Sequence, residues 1–64
     1  MTRDDWVAAC AKALSEKLDM REGDAHDLAN ILAVNEAQDS GSEDPESWSA
    51  PADAADEEGD AWGE

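Results

Sequence analysis

Residues 37–64 contain ten acids (Asp39, Glu43, Asp44, Glu46, Asp53, Asp56, Glu57, Glu58, Asp60 and Glu64) and no lysine or arginine. A segment of this kind has no counter-charge of its own, and self-repulsion opposes any compact form it takes. Low hydrophobicity, high net charge and frequent Ser, Gly and Pro are the composition of disorder. Residues 1–36 differ. Eight acids there face Arg3, Lys12, Lys17 and Arg21, which leaves −4 of the chain's −14. The charge distribution therefore divides the chain into a 1–36 segment and a 37–64 tail.

The first segment has helical periodicity. Thr2-Arg3-Asp4-Asp5 reads as a capping box, with Asp5 in place of the longer Glu or Gln, and two acids suit the first turn. Trp6, Cys10, Ala13, Leu14, Lys17 and Leu18 then recur at helical spacing, Val7 widens the stripe, and the helix is expected from Thr2 to about Asp19. "DMREGD" reads as a turn around Gly23. A second helix restarts near Arg21, or at Asp24 with Asp27 as its capping partner. It carries Ala25, Leu28, Ala29, Ile31 and Leu32 and ends near Asn35.

Two amphipathic helices with a short connection predict an antiparallel hairpin over 1–36. Its interface is expected to hold Trp6, Cys10, Leu14, Leu18, Leu28, Ile31 and Leu32. One cysteine excludes an internal disulfide, and one histidine with one cysteine excludes a thiolate-rich zinc site. Ordering ~36 residues costs on the order of 50 kcal/mol, which needs roughly 2,000 Å² of apolar burial to offset. A two-helix seam leaves part of each stripe wet. The hairpin is thus expected to bury its stripe against a second copy, as a homo-oligomer such as a four-helix bundle, or against a larger assembly.

The tail reads as a largely disordered acidic segment with a short latent helix near 51–58. Pro51 suits the first helical position and Gly59 the end, and a basic partner would stabilise it. Trp48 and Trp62 lie in matched surroundings (acid, small, Trp, small), 14 positions apart. Two readings compete for them. Either they fold back over the hairpin's wet stripe, or they anchor the tail to a partner, with Asp56, Glu57, Glu58 and Asp60 steering it to a basic rim. The second reading is preferred.

Catalytic chemistry finds little support. Paired carboxylates work only at fixed separation in a cleft, and the tail offers no scaffold, so a solvated charge run is the better account. Asp53 to Glu64 begins and ends like a calcium loop, but Ala55 occupies a ligand position and Gly59 falls one place late. Cys10 with His26 makes a weak nucleophilic pair, because a lone Cys on an apolar helix face is usually a small core residue. No metal, cofactor or catalytic residue is expected, and the chain reads as a non-enzyme.

"DPESW…ADAADEEGDAWGE", with "TRDDWVAACA" at the start, resembles small uncharacterised acidic proteins of proteobacterial phages and prophages. The likeness covers Thr2 to Ala13 and Ala52 to Gly63. It implies a phage-like origin and carries no agreed function.

The partner expected is a basic protein surface. Direct nucleic-acid binding needs Lys and Arg at phosphates, and an anionic membrane repels this chain. No apolar run reaches transmembrane length and "MTRDDWVAAC" lacks the plan of a secretory signal, so a cytoplasmic location, bacterial or in an infected cell, or a virion is expected. The function expected is that of a small acidic interaction protein. The alternatives are a DNA mimic that blocks a host nucleic-acid-binding protein, and a virion structural or assembly component.

Overall fold

The computed structural model describes residues 1–62. The elements are α1 (Arg3–Leu18), α2 (Glu22–Ser40), one 3-10 turn at Pro45–Ser47, and α3 (Pro51–Trp62), so the protein is all-α. The central element is α1, which packs against both α2 and α3, while α2 and α3 scarcely meet.

Helix α1 starts as its sequence indicates. The Asp5 amide donates to Thr2 Oγ1 at 3.1 Å and the Thr2 amide donates to Asp5 Oδ2 at 3.3 Å, which closes the capping box. Its buried residues Trp6, Val7, Cys10, Ala11 and Leu14 form two adjacent rows rather than one, as a helix with neighbours on two sides requires. The helix ends at Asp19, which adopts the left-handed conformation (φ 53°), and the Ser15 hydroxyl donates to the Met20 carbonyl at 3.0 Å.

Helix α2 starts beside Arg21, the first of the two expected restarts, and departs from expectation at its far end. Gly23 lies in its first turn and not in the connection, because the left-handed Asp19 already reverses the chain. Asp24 is therefore inside the helix and caps nothing; Arg21 occupies the cap position without a side-chain bond. The helix also passes Asn35 and stops only at Gly41, whose φ of 71° suits a residue without Cβ. The extra turn carries Ala37 onto the core.

The buried stripe of α2 is Ala25, Ala29 and Ala33, all fully buried. Four-residue spacing puts them on one face, and their small side chains let the backbone approach the large residues of α1 closely. Leu18, Leu28 and Leu32 are half-buried against this core, as a hairpin interface requires. Ile31 is not part of it. The ring of small residues turns Ile31 to the opposite side, where it is 57% exposed.

Residues 37–62 are ordered by packing and not by charge. The Ser42 amide donates to Ser40 Oγ, the Asp44 amide to Ser42 Oγ, and the Glu46 amide to Asp44 Oδ1, all at 3.1–3.2 Å. Each short polar side chain thus satisfies the backbone two residues on. This chain of turns delivers Trp48, only 8% exposed, edge-on to Trp6, with ring centroids 5.2 Å apart and planes at 88°. Both indole N–H groups are bonded: Trp6 Nε1 donates to the Ser49 carbonyl at 2.9 Å and Trp48 Nε1 to the Ser42 carbonyl at 2.8 Å.

The short helix expected near 51–58 is present and longer, as α3. It lays Ala54, Ala55 and Gly59 on the rest of the protein, all three buried. A Cβ on Gly59 would come within 2.5 Å of Lys17 Cε, so the glycine makes room for the lysine stem. The expected disordered tail is therefore replaced by a third helix and a Trp-bearing loop. Apart from Ile31, the apolar stripe expected to need a second copy is covered or half-covered from within the same chain.

Truncating Trp48 to Ala is expected to cost about 3–5 kcal/mol, comparable to the whole stability of so small a domain at about 3–10 kcal/mol. Urea unfolding followed by far-UV circular dichroism measures it. A loss below about 1 kcal/mol would place the indole outside the core. Removing residues 42–64 is expected to abolish the cooperative transition of the remaining hairpin.

Candidate functional site

Every buried residue among those described is apolar, and the carboxylates lie on the outside. The chain holds eighteen acids and four lysines and arginines, so most of its carboxylates have no basic side chain within the molecule to pair with. Ion pairs among the described residues tie elements together. The Met1 ammonium meets Glu46 Oε1 at 2.9 Å, and Lys17 Nζ meets Asp56 Oδ1 at 2.8 Å. Both are exposed and contribute little stability.

Helix α3 concentrates the surface charge. Asp53, Asp56, Glu57 and Asp60 are exposed on it, and Glu58 is half-buried. Asp56 is engaged with Lys17, which makes it partly an internal tether. Glu57 and Glu58 of α3 and Glu36 and Asp39 of α2 line one groove of about 170 Å³, together with Leu32, Asn35 and Ala54. The acids of α2 were not legible as part of this surface. Their pairing with α3 depends on a long-range contact that no local pattern encodes.

Of the residues expected to bind a partner, Trp48 belongs instead to the core. Its ring fills the space beside Trp6 and its N–H is bonded to the Ser42 carbonyl. Trp62 closes α3, and its side chain lies outside the described residues. Trp6, Cys10 and Leu14 are fully buried.

Cys10 has no exposed surface, and burial pushes its thiol up to about 11, with the negative charges of Glu36 and Glu58 adding to the effect. At neutral pH it is a protonated core residue. His26 is exposed on α2 and its ring nitrogen lies 3.2 Å from Asn30 Nδ2. Among the described residues no group of three or more His, Cys, Asp or Glu is arranged to hold a metal ion, and no helix is long and apolar enough to cross a membrane.

Comparison with family models, curated proteins and solved structures finds no match to this chain. The fold and surface define an acidic three-helix protein with an apolar interior.

Raising salt from about 0.01 M to about 0.5 M is expected to raise the melting temperature, because screening relieves repulsion among the surface carboxylates. Scanning calorimetry at several salt concentrations tests this, and a falling melting temperature would mean that attractive pairs dominate.

A second expectation concerns alkaline pH. Hydrogen bonding to Glu46 raises the Met1 ammonium above its ordinary 8.0, hydrogen bonding to Asp56 raises Lys17 above 10.5, and burial raises Cys10 above 9.0. In each case the folded form holds its proton more tightly. Their stabilisation is therefore complete below the unfolded values and is lost as pH climbs through the folded ones. For Cys10 the window runs from 9.0 to about 11, and the loss is about 2–3 kcal/mol. Urea titrations across this window should show the decline, and Cys10→Ala should flatten it. An equal slope in the variant would exclude the thiol as its source.

Proposed function

We propose that this chain is a small non-enzymatic interaction protein that docks on a basic protein surface through its carboxylates, in a phage or prophage setting. The observation that carries this reading is the placement of acids. The interior is filled by alanine, leucine, valine, cysteine and tryptophan, and α3 presents Asp53, Glu57 and Asp60 to solvent on a defined helix. Carboxylates held on a helix lose less freedom on binding than those of a flexible string, so more of their attraction to a cationic partner appears as affinity. Electrostatic attraction also speeds encounter. The likeness of the two sequence ends to acidic phage proteins supports the setting, in an infected cell or a particle.

The same ordered carboxylates favour a second reading, imitation of a nucleic-acid backbone. A helix holds charges at recurring separations, and a groove that attracts phosphates attracts them as well. The aromatic half of such mimicry is weakened, since Trp48 is occupied in the core.

The test is fluorescence anisotropy of a labelled lysine-rich peptide titrated with the intact protein. Binding that weakens steeply with salt is expected. An Asp53→Asn/Glu57→Gln/Asp60→Asn variant should lose about tenfold in affinity. Unchanged binding by that variant would remove α3 from the interface. Titrating a nucleic-acid-binding domain in the presence of competing oligonucleotide separates the two readings, because a mimic is displaced.

A further inference from the structure

Among the described residues the large apolar side chains left exposed are Met1, Ile31 and Val34, and the last two lie together on the face of α2 turned away from α1. Ile31 is 57% exposed and Val34 46%, while Ala25, Ala29 and Ala33 on the opposite side are fully buried. Ile31 and Val34 are three residues apart and so adjoin on the helix surface. Beside Val34 lies a groove of about 440 Å³ lined also by Ala33, Ala37 and Trp48 and by the polar Arg3, Gln38 and Glu43.

Charge decides what fits there. Asp27 lies four residues before Ile31 and Asp24 three before Asp27, and both are exposed along the same side of the helix. Glu43 adds a carboxylate at the groove. A second copy of this chain would bring another −14 against these acids, and like charges brought together disfavour that contact. Nucleic acid is repelled for the same reason. A cationic partner with an apolar stripe satisfies both features, since its apolar residues cover Ile31 and Val34 while its lysines or arginines meet Asp24, Asp27 and Glu43.

We infer that the Ile31–Val34 face of α2, with the groove beside it, is the docking site for a basic amphipathic helix of another protein. The inference rests on the acidic-docking reading and narrows it from a charged surface to one helix face with an apolar centre. Ile31 and Val34 supply the dry contact, and the flanking carboxylates set the orientation of the incoming helix.

Two synthetic peptides test it. They share composition and charge, rich in lysine and leucine. One places leucines at helical spacing and the other scrambles them. Binding of each to the full chain is measured by anisotropy, with amide shifts recorded on the unaltered protein. The ordered peptide is expected to bind about tenfold tighter than the scrambled one, with shifts concentrated in residues 27–38. An Ile31→Ser/Val34→Ser variant should keep its circular dichroism and lose that preference. Equal binding of both peptides, or shifts centred on α3, would overturn the inference and leave the acidic-docking reading standing. Failure of both peptides to bind would overturn both. Concentration-dependent self-association, abolished in the double variant, would assign the face to a second copy and overturn it as well.

Discussion

The contact between Trp6 and Trp48 organises the rest of this protein. Edge-to-face aromatic pairs contribute about 0.5–1.5 kcal/mol beyond the area they bury, and here the pair joins residues more than forty positions apart. Each indole also hands its N–H to a loop carbonyl, Trp6 to Ser49 and Trp48 to Ser42. Two large apolar groups are thereby buried without an orphaned donor. The same bonds fix the path of the connection that leads into α3.

Everything around that pair is small. Ala25, Ala29 and Ala33 on α2 and Ala54, Ala55 and Gly59 on α3 let both helices lie close to α1. Large side chains come mainly from the central helix and the loop, and the flanking helices contribute backbone proximity. Ile31 is excluded from the interior for the same reason. A close-packed alanine stripe leaves no room on that face for a larger branched side chain.

The acids take up what remains of the surface. Glu36, Asp39, Glu57 and Glu58 line a groove between α2 and α3, and the two seams along α1 carry the fold. A protein built this way separates two jobs. Its alanine and tryptophan interior maintains shape, and its carboxylates remain available to a cationic partner. The apolar outer face of α2 adds to that charged exterior a patch where specificity can reside.

Much was legible in local pattern. The Thr2–Asp5 capping box, the Trp6–Cys10–Leu14 stripe of α1, the Pro51 start of α3 and the helical class all follow from short-range spacing and cap chemistry. The excess of carboxylates, and the exclusion of disulfide stapling by a lone cysteine, follow from composition alone. Other features were decided only when the chain closed on itself. Whether Trp48 faces a partner or Trp6, whether α3 stands free or lies on α1, and which side of α2 turns inward all depend on contacts between distant residues. Charge statistics for residues 37–64 describe a segment in isolation. They do not register that two tryptophans and a few alanines can recover, through packing against a helix made elsewhere in the sequence, what the tail lacks by itself.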